Sequence, residues 1–188
     1  MADIVVVNKV DSADPDDVMR VIESIRELNP STAIVQTASP VRLEDGPDLA
    51  GKSVLVIEDG PTLTHGGMPY GAGIVAARAA GVGQIVDPRP HAVGSIADTY
   101  RAYPSLGPVL PAMGYGHAQL ADLEATIRAV PCDVVVTGTP ISLGRLVDMG
   151  HPTRHARYES EDVGHPTFGE VMTPFVNRAL AEASSVTA

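Results

Sequence analysis

The stretch Ser53–Gly73, SVLVIEDGPTLTHGGMPYGAG, constrains the fold of this chain more than any other segment. Val54–Ile57 is a short apolar run rich in β-branched residues, and Glu58-Asp59-Gly60-Pro61 stops it. A loop holding Thr62, Thr64, His65, Gly66 and Gly67 is expected next. Pro69 then leads into a small-residue helix over about 70–80, with Gly71 and Gly73 in its first turn. A buried strand, a Gly/Thr-rich loop and a helix start together make a place for an anion. The N–H groups of the first helical turn point outward with the positive dipole end behind them. Glycines let a phosphate approach the backbone, and threonine hydroxyls complete its hydrogen bonds. The alternative is a tight turn that is Gly-rich for backbone geometry alone. The density of Thr, His and Gly in so short a loop favours the anion site.

The rest of the chain alternates in the same way. A strand over Asp3–Val7 leads through Asn8-Lys9-Val10-Asp11 to a helix from Pro15 to Leu28, where Val18, Ile22, Ile25 and Leu28 repeat at helical spacing. Asp14 can cap that helix, Pro15 suits its first turn, and Asp16 and Asp17 complement its dipole. Ala33–Gln36 reads as a strand ending in Thr37-Ala38-Ser39, and the polar stretch 40–52 marks a domain boundary. Beyond the 53–80 unit come a strand at 84–87, helices at about 91–103 and 117–129, a strand at 133–137 and a short helix at 141–149. Residues 150–167 read as irregular, and a last helix covers 168–183. Strands that are continuous apolar runs, alternating with helices, predict an α/β fold: a parallel sheet with helices on both faces. Ligands in such folds gather at the carboxyl ends of the strands.

Composition narrows the function. Of 188 residues 44% are hydrophobic, with no Trp and two Phe, so the core is aliphatic. A net charge of −10 argues against a broad basic surface for nucleic acid. Residues 1–59 carry twelve acidic and five basic side chains, so an anionic ligand sits more easily in the later part. The single cysteine, Cys132, cannot form an internal disulfide and reads as a small buried hydrophobe. The sequence carries no signal-peptide pattern and no apolar run of membrane-span length, so the expectation is a cytoplasmic protein with no membrane partner.

Several motifs bear on chemistry. Gly46–Ser53 matches the expression GxxxxGK[ST], but it runs from a polar loop into a strand. A working phosphate loop follows a strand and opens a helix, so the match is rejected. Asn8-Lys9-Val10-Asp11 has the right context, between a hydrophobic strand and a helix. There Asp11 can accept from a guanine base while Asn8 and Lys9 hold the loop. Ala38, in Thr37-Ala38-Ser39, falls in what resembles the second base-contacting loop of GTPases. His151, His155 and His165 lack a Cys or acidic ligand to complete a zinc set, so no metal site is assigned to them. Arg89, Arg145 and Arg154 fall in or near strand-end loops, where guanidinium forks suit phosphate. With Thr62, Thr64, Gly66, Gly67 and Gly71 they make a candidate phosphate pocket. His65 and Thr64 are the candidate catalytic side chains, His65 as hydrogen-bond donor or proton shuttle.

ADIVVVNKVD, VLVIEDGPTLTHGGMPYGAGIVAARAAG, DPRP and VVVTGTPISLGRL together resemble the C-terminal portion of the cyclic 2,3-diphosphoglycerate synthetase family, whose members are also described as predicted GTPases. The resemblance runs from about Ala2 to Tyr158. It implies that 1–45 is the C-terminal part of a P-loop NTPase-like core and that 50–188 is a Rossmann-like substrate domain. It also implies ATP or GTP with Mg²⁺, base contacts at Asn8, Lys9, Asp11 and Ala38, and closure of an intramolecular phosphoanhydride on a phosphorylated small metabolite. The family's P-loop lies upstream of NKxD. The chain alone is therefore expected to need a P-loop half or partner chain for activity, with a homodimer as one candidate assembly. A GTPase of the metallochaperone type and a non-catalytic phosphometabolite-binding module are the alternatives.

Overall fold

The computed structural model describes residues 2–67 and 69–186. The chain divides into two compact units, Met1–Pro40 with Glu159–Ala188, and Val41–Tyr158. The sequence had put 50–188 in one piece; the contacts group the last thirty residues with the N-terminal unit instead.

The first unit begins with β1 (Ile4–Asn8), α1 (Pro15–Leu28) and β2 (Ala33–Ala38). The Asp14 side chain accepts from Asp16 N–H, Pro15 occupies the first turn, and Ile22 is buried, as the helical spacing predicted. Strands β1 and β2 are parallel, with Ile4 opposite Ala33 and Asn8 opposite Thr37.

The second unit holds β3 (Val41–Leu43), β4 (Ser53–Asp59), α2 (Gly60–Gly66), α3 (Ala72–Ala79), β5 (Gln84–Ile85), α4 (Gly94–Ala102), β6 (Leu110–Ala112), α5 (His117–Ala129), β7 (Val134–Gly138) and β8 (Thr153–Tyr158). Its sheet runs β3-β8-β7-β4-β5. β6 lies beside the second half of β4, with Ile57 opposite Leu110. Alternation along β4 explains why it is central. Val54 and Val56 pack with Leu63 of α2 and Ile74 and Ala77 of α3. Leu55 and Ile57 face the other way, against Ile96 of α4 and Leu123 and Ile127 of α5. Helices thus cover both faces of this α/β, Rossmann-like sheet.

Back in the first unit, β9 (Glu161–Asp162) pairs antiparallel with β2, and α6 (Phe168–Val186) ends the chain. No helix among the described residues is long and apolar enough to cross a membrane.

Three expectations need correction. The sheet is mixed rather than all parallel, because β3 runs antiparallel to β8. Residues 150–167 are not irregular: β8 pairs parallel with β7 and β9 lies within the same span. Arg154, His155 and Arg157 hid β8, since nothing in their polarity reveals a ladder on either side. The 59–67 loop, finally, is the helix α2. Asp59 caps it, Pro61 stands in its first turn, and Gly67 ends it at φ 61°, a left-handed conformation suited to glycine.

Candidate functional site

Strand order reverses at β4. After β4 the chain builds β5 and β6 on one side of it, and β7 then forms on the other side. The carboxyl ends of β4 and β7 therefore flank a topological switch point, where α/β sheets bind ligands. Glu58 and Asp59 end β4, and Gly138 ends β7 opposite Glu58.

Glu58 is the buried centre of this place, 1% exposed. Its Oε1 accepts from the N–H groups of Gly71 and Ile74, each at 3.0 Å. The N-terminus of α3, read from the sequence as a phosphate cradle, thus already holds a carboxylate from its own chain. Gly71, Gly73 and Gly138 close round that carboxylate. A Cβ on any of them would meet a Glu58 carboxyl oxygen, at 2.7, 3.2 and 2.4 Å respectively. Burial pushes the Glu58 carboxyl above its ordinary range against the pull of the Ile74, Gly73 and Gly71 N–H groups, and the charge of Asp59 adds to the rise. Tyr115 and Tyr158 border the pair. Burial raises both phenols first, then the charge of Asp59 for Tyr115 and of Glu58 for Tyr158.

Asp59 accepts from Thr62 N–H at 3.2 Å and from the Thr62 hydroxyl. Thr64 Oγ1 donates to Gly60 O at 3.0 Å, and His65 Nδ1 donates to Pro61 O at 2.9 Å. The hydroxyl protons of the predicted loop are therefore spent inside α2, while His65 keeps its Nε2 edge. Gly66 is the last residue of α2 and Gly67 its cap. Replacing Asp59 by Ala is expected to cost about 1 kcal/mol by uncapping α2. A lower urea midpoint would register that loss; an unchanged midpoint would mean that Pro61 alone sets the helix start.

Arg89 and Arg154 each have partners of their own. Arg89, past β5, is forked onto Asp87, with Nε at 2.9 Å from Oδ1 and Nη2 at 2.6 Å from Oδ2. Arg154, in β8, gives Nε to Glu44 O at 2.7 Å and Nη1 to Pro47 O at 3.3 Å. Strands β5 and β8 stand three strand spacings apart, about 14 Å. Arg145 is an exposed residue of the 3-10 turn Leu143–Arg145, whose Leu143 is buried. Among the histidines, His155 Nδ1 is hydrogen-bonded to Thr137 Oγ1 at 2.9 Å across β7 and β8. His165 faces Glu170, not a metal set. Among the described residues no three His, Cys, Asp or Glu side chains gather as ligands for a metal. The GxxxxGK[ST] match leads directly into β4, with Gly51 in a left-handed turn and Lys52 exposed.

In the first unit the two predicted base-contacting loops do meet. Asn8 Oδ1 accepts from Lys9 N–H at 2.8 Å and from Thr37 Oγ1 at 2.9 Å, which ties NKVD to the end of β2. Asp11 Oδ1 accepts from Ser39 N–H at 3.0 Å, so a base bound there would share that carboxylate with the backbone. Lys9 sits at φ 62°, a left-handed conformation that tightens the turn. Ala38 is the last residue of β2, beside this junction.

Sequence reasoning missed Glu58 as more than a strand terminator. The signal was an acidic residue continuing an apolar run without a break, ahead of a glycine-rich helix start.

The fold defines an α/β protein with a topological switch point at the carboxyl ends of its central strands. No protein-family model matches the chain. It is similar to a protein of Thermococcus kodakarensis named arginine synthetase ArcE, with 49% identity over 171 residues. The match covers 91% of this chain and 38% of that relative, so the chain spans well under half of the relative's length.

Proposed function

We propose that this chain is part of a nucleotide-dependent synthetase, with the 41–158 unit carrying the substrate crevice. The observation that carries this reading is the 49% identity to a protein named as a synthetase, extending over 91% of the chain. Two substrate classes follow from the two likenesses. The family resemblance points to a bisphosphorylated metabolite closed into a phosphoanhydride; the relative's name points to arginine. The charge of the crevice favours the second. Asp59 is the carboxylate at the surface of the switch point, Glu58 being buried beneath it, while the forks of Arg89 and Arg154 are taken up by Asp87 and by backbone carbonyls. A polyanion would meet the Asp59 carboxylate there, whereas a guanidinium pairs with a carboxylate through two parallel hydrogen bonds.

In this reading Thr62, Thr64, Gly66, Gly67 and Gly71 are candidate contacts to substrate or its activated phosphate; Arg89, Arg145 and Arg154 belong to the phosphoanhydride alternative, in which Arg89 and Arg154 would have to give up Asp87 and the carbonyls of Glu44 and Pro47. His65 Nε2 is the candidate proton acceptor, because Nδ1 is already committed to Pro61 O. Asn8, Lys9, Asp11 and Ala38 would hold the base of ATP or GTP. The nucleotide with Mg²⁺ would supply the phosphoryl group that drives condensation, and a P-loop half would hold its phosphates.

Calorimetric titration of the chain with arginine and, separately, 2,3-diphosphoglycerate, each with and without ATP or GTP and Mg²⁺, tests the substrate class. Arginine is expected to bind and the bisphosphate not. Binding of the bisphosphate alone would overturn the arginine reading and restore the phosphoanhydride one.

A further inference from the structure

β1 is Ile4-Val5-Val6-Val7-Asn8, four apolar residues before its first polar one. That is the pattern of a parallel strand covered on both faces and flanked by neighbours. Among the described residues β1 pairs with β2 alone, so its other edge carries no ladder. Exposed strand edges are ordinarily blunted by Lys, Pro or a bulge. Residues 4–7 of β1 are all Ile or Val.

A groove of about 330 Å³ runs between this strand and α1, lined by Val5, Val7, Val18, Val21 and Ile25, with Ala13 and the acidic Asp17 at the start of the helix. Val6 and Asn8 line it too, so four consecutive strand residues face it. Successive side chains point to opposite faces, so a cavity touching all four follows the edge of the strand and not one face. On α1, Val18, Val21 and Ile25 fall on one helical stripe. Val6 is 43% and Val21 48% exposed, more than a finished α/β core leaves to valine.

We propose that this groove seats an apolar β-strand, parallel to β1, from an α/β domain corresponding to the part of the longer relative that this chain does not match. Strand addition to an open edge satisfies the backbone of β1, and the next helix of such a domain would cover the Val18–Ile25 stripe. The unmatched part of the relative exceeds half its length, ample for a domain of that kind. A parallel partner suits β1 because β1 and β2 are already joined in parallel through α1. The assignment rests on the synthetase reading above and adds where the two parts join.

The probe is the purified polypeptide comprising the unmatched remainder of the Thermococcus kodakarensis protein, mixed with this chain. Light scattering is expected to give a one-to-one complex, with hydrogen exchange at the amides of Val5–Asn8 slowed at least tenfold. Val6→Lys and, independently, Val21→Glu should each weaken the complex at least tenfold while leaving the melting of the free chain unchanged, since both side chains are half exposed. No complex, or a complex that leaves β1 exchanging freely and is indifferent to both substitutions, would overturn the assignment. So would protection of β1 in a dimer of this chain without the probe, which would make a second copy the occupant. A complex seated at β1 that forms no arginine with any nucleotide would sink the synthetase reading while keeping the interface; arginine formation with β1 unprotected would do the reverse.

Discussion

Gly138→Ala is expected to destabilise the 41–158 unit by about 3 kcal/mol, the upper end of the cost of overpacking. For a unit of this size that lowers the melting temperature by on the order of 10 °C. The added methyl would lie 2.4 Å from Glu58 Oε2, 2.6 Å from Gly73 N and 3.1 Å from Gly73 Cα. Two of those three atoms are backbone and cannot rotate away, so either β7 or the start of α3 must move. Moving α3 breaks the Gly71 and Ile74 hydrogen bonds to Glu58, and the damage spreads to the switch point. Gly144→Ala, where a Cβ meets nothing within 4 Å, is the control and should melt within a degree or two of the parent. Equal melting of the two variants, followed by circular dichroism, would show that β7 does not press on α3 as described.

The second large effect centres on Glu58. Glu58→Ala removes a buried side chain and leaves the buried Ile74 N–H and the part-buried Gly71 N–H without this acceptor, at a cost of about 3 kcal/mol. Glu58→Gln keeps the size and one acceptor oxygen, and is expected to cost about 1 kcal/mol. The two carboxamide protons of Gln have no carboxylate role to fill, so the informative comparison is across pH. The folded carboxyl is raised above 4.5, so the folded state holds its proton more tightly than the unfolded chain does. That contribution to stability is fully present below 4.5 and is lost as pH rises through the raised folded value. Urea midpoints of the parent should therefore fall relative to those of the Gln variant as pH climbs from 4 to 7. A parent that instead gains on the variant would mean that the Ile74, Gly73 and Gly71 N–H groups outweigh burial and hold Glu58 as an anion.

Much of the fold could be read from local pattern. The apolar runs of β1, β4 and β7, the caps and spacing of α1, and the start of α5 at His117 all follow from residues within a few positions of one another. The NKVD turn and Thr37-Ala38-Ser39 could be paired on paper because a strand–helix–strand crossover places successive strand ends side by side, and Asn8 does bond Thr37. β8 could not be read in that way. Its Arg and His side chains carry no strand signal, and it is a strand because β7 and β3 offer it a ladder on each edge.

The candidate site divides along the same line. That something at 58–73 would gather at the end of a strand was decided by the sequence, since an apolar run, a cap and a glycine-rich helix start are neighbours along the chain. Which group occupies the helix start was decided only in three dimensions. Thirteen positions of chain separate Glu58 from Gly71, and Gly138 comes from a strand far along the sequence. Burial of a carboxylate is expensive unless hydrogen bonds meet it. The fold meets that cost by bringing three glycines and the first N–H groups of α3 to one point, and local sequence cannot announce such a convergence. The same holds for Arg89 and Arg154: each is a free cation on paper, and each is committed once folding sets Asp87 and the 44–47 carbonyls beside it.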